Sequence, residues 1–215
     1  MKGLLPIYRA TTRIKVAGPL KVPAAMYVIK EGEEIVLIDP FLLPESETQE
    51  LEALGKPTLI LIAGESHVRD AEAYRKRYGA KILANREAVP KLGVAVDEAF
   101  GDGETLPGGL TAIGMPGTLA GETIFRREQG KGVLIVGDAI WNLQRLSECG
   151  WMLGSMMRLF GWPEGLGKMP KLFMKDEKLA AESYQKLLDY EFEQILVSHG
   201  QPILSGARGL LRIVI

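Results

Sequence analysis

Only two histidines occur in the 215 residues of the chain, and both stand in the same local setting. His67 closes Ala63-Gly-Glu-Ser-His67, directly after the apolar run Leu59-Ile-Leu-Ile, and His199 lies in Ser198-His199-Gly200, directly after Ile195-Leu-Val. A third apolar run, Val133-Leu-Ile-Val, passes into Gly137-Asp138 in the same way. Short apolar runs bounded by turn residues read as buried strands. In α/β folds ligands collect at the carboxyl ends of such strands, because loops converge there and small residues leave room. Two imidazoles and a carboxylate can hold one divalent ion while leaving coordination positions open. Catalytic Zn²⁺ accepts this set, and non-haem Fe²⁺ accepts it as a facial triad. His67, Asp138 and His199 are therefore the candidate metal ligands and the candidate catalytic residues. The ordinary alternative for each alone is a hydrogen-bonded histidine after a strand or a Gly-Asp turn. The case for a site rests on every available histidine falling at an equivalent place.

The same composition excludes other chemistry. Two histidines cannot supply a site of four or five imidazoles, and one cysteine makes neither an internal disulfide nor a cysteine-based zinc finger. Cys149, in Leu146-Ser-Glu-Cys-Gly150, lacks the strand–turn–helix setting of an activated nucleophile and reads as a small buried thiol. A net charge of −1 with no basic run argues against a nucleic-acid partner. The glycine-rich Asp102-Gly-Glu-Thr-Leu-Pro-Gly-Gly109 has no trailing Lys-Ser/Thr and no helix after it, so it reads as hairpin turns rather than a phosphate loop. The N-terminal residues lack an apolar targeting core, and nowhere do eighteen apolar residues run together. No transmembrane segment is expected, and the cytoplasm is the expected location.

The elements that must position the three residues follow from periodicity. Met26-Tyr-Val-Ile-Lys and Ile35-Val-Leu-Ile-Asp39 read as a β-hairpin around a glycine turn. Ser46 is placed to N-cap a short helix ending at Leu54 and closed by Gly55. After the strand at 58–62, a helical period begins at Ser66, with Val68, Ala71, Tyr74 and Tyr78 on one face and Arg69, Arg75, Lys76 and Arg77 elsewhere. It ends at Gly79. Lys81-Ile-Leu-Ala is a further strand, and residues 94–125 read as short strands and turns. A strand at 132–136, an amphipathic helix at 176–190 and a last strand at 194–197 follow, with residues 206 to the end either helix or strand. With 47% hydrophobic and 25% charged residues, one mixed α/β domain over residues 1–215 is the economical reading.

Residues 139–175 differ in composition. Trp141, Trp151 and Trp162 are all the tryptophans of the chain. Met152, Met156, Met157, Met169, Met174, Leu159, Phe160 and Phe173 accompany them. A helix completing the core is the ordinary reading of such a stretch. Yet apolar residues occupy more than one face, and Gly150, Gly154, Gly161, Gly165 and Gly167 weaken a long rigid helix. A lid or pocket wall is the preferred expectation, because the segment follows Asp138 directly. A homodimer contact through residues 141–174 comes next, and a membrane-surface contact third, since only Arg158, Lys168 and Lys171 supply positive charge.

Taken in order along the chain, these motifs resemble those of the metallo-β-lactamase superfamily, which includes glyoxalase II-type thioesterases. Leu37-Ile-Asp39-Pro40 is similar to the family's strand ending in Ile-Asp-Thr-Gly. Ile62-Ala-Gly-Glu-Ser-His67 sits where the family has Thr-His-x-His-x-Asp-His. Gly117-Thr-Leu-Ala-Gly-Glu122 resembles Gly-His-Thr-Pro-Gly-Glu, Gly137-Asp138 the metal-bridging Gly-Asp, and Ser198-His199-Gly200 the terminal Gly-His-Gly. The resemblance covers nearly the whole chain and implies a four-layer αββα sandwich.

The departures matter as much. By a gap-free reading, two imidazole positions of the first motif fall on Ile62 and Gly64 and its aspartate on Ser66, while Thr118 replaces the central histidine. The resemblance then implies that the first metal pocket of dinuclear members has lost all three imidazoles. The second keeps His67, Asp138 and His199, so the site holds at most one ion, Zn or Fe. For Glu65 and Glu122 a solvated surface role is the preferred expectation, with a further carboxylate ligand or a general base as the alternative. Asp39 is expected to orient a histidine. The expected function is a metal-dependent hydrolase acting on a small-molecule ester, thioester or similar electrophile with an apolar part. The alternatives are a non-catalytic binding protein on the same fold and a mononuclear iron protein.

Overall fold

The structure, a computed structural model, describes residues 2–3, 7–18, 20–171 and 174–215. Phe173, counted above with the aromatic segment, lies outside the described residues. Seven strands lie in chain order in one sheet: β1 (Lys2–Gly3), β2 (Ile7–Ala17), β3 (Leu20–Glu31), β4 (Glu34–Ile38), β5 (Leu59–Ile62), β6 (Lys81–Asn85) and β7 (Glu98–Phe100). The first four are antiparallel, with Tyr27 of β3 opposite Ile38 of β4 as the hairpin reading requires. From β4 onward the pairing is parallel. A parallel step needs a crossover, and α1 (Glu45–Leu54) and α2 (Ala71–Tyr78) supply the two between β4 and β6.

In the second sheet β8 (Thr105–Leu106), β9 (Leu110–Gly114), β10 (Thr123–Arg127) and β11 (Val133–Val136) are antiparallel neighbours. The chain then leaves this sheet. β12 (Ile140–Leu143) pairs with β13 (Gly165–Lys168) in a separate ribbon, with α3 (Trp151–Leu159) between them in sequence. After α4 (Glu177–Leu187), β14 (Gln194–Val197) returns to pair in parallel with β11, and α5 (Ala207–Val214) follows.

Side-chain alternation divides these strands into layers. Tyr27, Ile29, Val36, Ile38 and Leu61 of the first sheet face Ala112, Phe125, Val133, Ile135 and Leu196 of the second, forming the central core. Their neighbours Met26, Val28, Ile35, Leu37, Ile60 and Ile62 point the other way, onto Leu51 of α1 and Ala71, Tyr74 and Tyr78 of α2. On the far side, Leu134, Val136, Ile195 and Val197 pack on Ala180, Tyr184 and Leu187 of α4 and on Ala207 and Leu211 of α5. The result is the αββα order, helices on both outer faces of two stacked sheets.

The sheets are tied together at the edge where the parallel strands end. Ala25 N–H donates to Ser198 O at 2.8 Å, Thr123 N–H to Ala63 O at 2.7 Å, and the buried Tyr27 hydroxyl to Val197 O at 2.7 Å. In each sheet the site residues therefore leave from adjacent parallel strands, Asp39 and His67 from β4 and β5, Asp138 and His199 from β11 and β14.

Two local expectations change. Ser46 is not an N-cap. It lies inside α1, which starts at Glu45 behind Pro44, with no side-chain cap. Glu45 and Glu47 in the first turn complement the helix dipole. The helix expected from Ser66 begins only at Ala71, because Arg69 adopts φ 45° and its guanidinium turns inward, donating to Ala25 O at 2.7 Å and Asp39 O at 2.9 Å. Ser66 and His67 are thereby held on a loop. The helix end stands as read, with Gly79 left-handed at φ 72° and its N–H on Arg75 O. The described residues of 139–175 form strand, 3-10 turn, helix and strand, as the glycines that weaken a long helix there require. Among the described residues no helix is long and apolar enough to cross a membrane.

Candidate metal centre

His67, Asp138 and His199 are brought together, with one ligand atom from each lying within 4.8 Å of the others. All three are buried, Asp138 the most open at 9% exposure. His67 Nε2 is 3.3 Å and His199 Nε2 3.0 Å from the same oxygen, Asp138 Oδ1.

The far side of each side chain is engaged. His67 Nδ1 lies 2.5 Å from Asp39 Oδ2, and His199 Nδ1 lies 2.7 Å from the carbonyl oxygen of Pro23. A carbonyl only accepts, so His199 carries its proton on Nδ1 and presents the Nε2 lone pair inward. A carboxylate behind a ligating imidazole fixes its ring and raises its basicity. Asp39 has that role here, as expected. It is itself held by the Ala63 N–H on Oδ1 at 2.8 Å, in a left-handed conformation at φ 51° that aspartate tolerates better than most residues. Ser66 donates to Asp138 Oδ2 at 2.5 Å, leaving Oδ1 to face the imidazoles.

The charges point the same way. Burial works against a charged His67, yet the carboxylates of Asp39 and Asp138 outweigh it and push its pKa up to about 10. Burial also opposes ionisation of Asp138, but His67 and His199 hold its carboxyl well below the usual range. For His199 burial wins, and its pKa falls. Two buried carboxylates thus draw a positive charge into the cluster, supplied by a proton on His67 in the metal-free protein. A divalent cation in that place meets two Nε2 lone pairs and one carboxylate oxygen, a donor set that fits Zn or Fe.

The other half of the expected centre is built differently. Ile62 is fully buried and points away, into the helix-covered core, and Thr118 Oγ donates to Met115 O at 2.5 Å. Glu122 corrects the sequence reading. It is not a surface residue but 1% exposed. Its Oε1 accepts the Ala139 N–H at 2.9 Å, and its Oε2 has no hydrogen-bond partner among the described residues. A Cβ on Gly64 would lie 2.6 Å from Oε2, and one on Gly137 2.9 Å from Oε1, so both glycines make room for this carboxyl. Burial, then the Asp138 charge, raise its pKa to about 8. Its signal in the sequence was its place in the same motif as the lost central histidine. Glu65 is paired with Lys91 at 2.8 Å and Lys175 at 3.6 Å.

A cavity of about 730 Å³ opens over Ser66, His67, Asp138 and His199. Residues 139–175 supply one wall through Trp141, Leu153, Met156, Met157, Phe160, Trp162 and Met169. The Trp141 ring stacks on the His199 imidazole, centroids 4.1 Å apart and planes at 24°, and its Nε1–H donates to Asp138 O at 2.9 Å. Sequence reasoning singled out Trp141 for the lid but not for this contact. It also missed Pro23, whose carbonyl fixes His199. Cys149 packs with Val22, Leu143, Leu146 and Met157, and burial pushes its thiol up to about 11, which leaves it protonated and inert at neutral pH.

Comparison with known proteins bears on the family and the fold. The family profile described as the Metallo-beta-lactamase superfamily matches residues 14–149. No curated protein sequence is significantly similar. Among solved structures, a metallo-beta-lactamase from Pontibacter korlensis is 19% identical, with 99% of this chain and 97% of that chain covered at a TM-score of 0.66. TTHA1623 in a di-iron-bound form is 21% identical, with 94% and 96% covered at a TM-score of 0.63. A metallo-beta-lactamase family protein from Thermus thermophilus, TTHA1429, is 18% identical, with 98% and 78% covered at a TM-score of 0.64. At these identities the likeness is one of fold.

Proposed function

This chain belongs to the metallo-beta-lactamase superfamily, whose membership supports a metallohydrolase-like function, and from that premise we propose a hydrolase working with a single divalent ion held by His67, Asp138 and His199. Its substrate is an ester or thioester with an apolar part. The observation that carries this reading is the convergence of three ligand atoms within 4.8 Å at one end of an apolar cavity.

The reaction balances simply. Water adds its oxygen to the acyl carbon, the bond from that carbon to the ester oxygen or thioester sulfur breaks, and a proton passes to the leaving group. When bound, the metal lowers the pKa of a coordinated water towards ~7 and polarises the carbonyl. The chain's own residues set the stage. Asp39 and Pro23 O fix the two rings with Nε2 inward. Ser66 Oγ–H holds Asp138 Oδ2, so that Oδ1 faces the imidazoles. Trp141 on the His199 face and the methionines of the cavity wall give the triad an apolar surround, in which electrostatic interactions are stronger than in water.

Metal analysis of protein purified without added metal tests the reading. One Zn or Fe per chain is expected, lost in His199→Ala, with ester and thioester hydrolysis lost on chelation and restored by the ion. Protein that takes up no metal under any loading condition sinks the proposal. The donor set suits Fe²⁺ as well as Zn²⁺, and one structural neighbour is described in a di-iron form. The same analysis therefore identifies the ion, and the hydrolysis assay decides whether an iron form is a hydrolase.

A further inference from the structure

The cavity over the triad is polar at one end only. Beyond Ser66 and the three candidate ligands, its lining is almost wholly apolar, including Val22, Leu119, Leu153, Met156, Phe160 and Trp162, with Lys15 the single lysine or arginine among the described residues. The one indole N–H nearest the triad, that of Trp141, is already used on Asp138 O.

Such walls discriminate strongly between ligand classes. A sugar, nucleotide or peptide pressed against them would leave hydroxyls and amides without partners, each a heavy loss on leaving water. An alkyl chain loses nothing and gains by burial. The volume of about 730 Å³ is within the range of sites that enclose an entire drug-sized ligand, far more than an acetyl group needs. Met156, Met157 and Met169 sit in the wall, and unbranched thioethers repack around chains of different length, where branched residues would impose one shape.

We propose that this cavity is an acyl-chain site and that the substrate is a fatty-acyl ester or thioester, its carbonyl at the triad and its chain along the wall formed by residues 139–175. The proposal rests on the hydrolase reading for the fate of the carbonyl, but not for the binding of the chain. The fatty acid released by hydrolysis is the natural probe, because it occupies the same space.

Competitive displacement of a fluorescent fatty acid by saturated fatty acids of six to sixteen carbons, with the metal-loaded protein, tests it. The dissociation constant should fall about two- to fourfold per added methylene and then level off where the cavity is full. Leu153→Trp, which fills part of the cavity, should move that plateau to shorter chains, with circular dichroism reporting its fold. The wild-type series stands without the variant. Affinity that does not depend on chain length, or no displacement at all, overturns the acyl site whether or not short esters are hydrolysed. Chain-length-dependent binding without hydrolysis of any acyl ester or thioester keeps the acyl site and overturns the hydrolase reading instead.

Discussion

Two halves of one centre, side by side at the ends of the same strands, are held by opposite physics. In the half formed by His67, Asp138 and His199, polar atoms converge on one point and each is fixed from behind, by Asp39, Ser66 and the Pro23 carbonyl. In the half where the family resemblance places three further imidazoles, polarity is consumed locally or neutralised. Ile62 has joined the core, Thr118 is tied to Met115 O, and the Glu122 carboxyl fills the space beside Gly64 with its pKa raised to about 8. The contrast teaches that losing ligands does not leave a hole. One half gathers two buried carboxylates around the imidazoles, whereas the other holds a buried carboxyl whose pKa is raised and whose Oε2 has no hydrogen-bond partner among the described residues.

The largest expected break in that contrast is Asp138→Ala. It removes one donor of three and leaves two imidazoles without the carboxylate they share. A binding energy on the order of 10 kcal/mol for a complete structural site makes the loss of a third of the donors worth about 200-fold or more in metal Kd. Competition titration against a chelator measures it. A variant that still binds one ion as tightly would place the metal elsewhere. Asp39→Asn comes next. It keeps the shape but removes the charge 2.5 Å from His67 Nδ1, and losses of roughly 10–100-fold in metal affinity are typical for such supporting partners. An unchanged affinity would mean that the ring is fixed by packing alone.

The packed half is tested by Gly64→Ala. The new Cβ would stand 2.6 Å from Glu122 Oε2, an overpacking cost of about 1–3 kcal/mol. Chemical denaturation should show this loss in the single variant and its partial recovery in Gly64→Ala/Glu122→Ala, since contacting residues are not additive. Equal losses in the two would show that Glu122 does not hold Gly64 in place.

The two halves were also unequally legible in the sequence. The triad could be read because the chain has only two histidines and each follows an apolar run, a pattern in which scarcity itself carries information. The αββα order came with the motif resemblance, and the inward and outward faces of the strands follow from their alternation. Glu122 was placed on the surface in spite of its motif position, because an acid in a Gly-rich turn is ordinarily solvated and nothing local announces that Gly64 and Gly137 open space for it. Arg69 was misplaced for a related reason. Helical periodicity set it among the polar residues of a helix, but its carbonyl acceptors, Ala25 O and Asp39 O, lie far away in sequence. Long-range polar contacts override local period at both places.

The test most specific to the packed half is its pH dependence. Glu122 is raised from 4.5 to about 8 by burial and then by the charge on Asp138. Between those values the folded metal-free protein keeps a proton that the unfolded chain has released. The folded state therefore binds more protons across this window, and its stability falls as pH rises through it, by at most ~1.4 kcal/mol per pH unit for one proton. Glu122→Gln has no such proton to lose. Urea denaturation of the chelator-treated protein at pH 5, 6.5 and 8 should show the variant gaining on the wild type at each step. Parallel curves would mean that Glu122 is already ionised at pH 5, and the half that looks neutral would then carry charge. Repeating the series with the metal bound sharpens the comparison further. A divalent cation at His67, Asp138 and His199 offsets the Asp138 charge that helps to raise Glu122, so the gain should shrink in the loaded protein, and it should shrink by an amount that reports how strongly the two halves still feel each other.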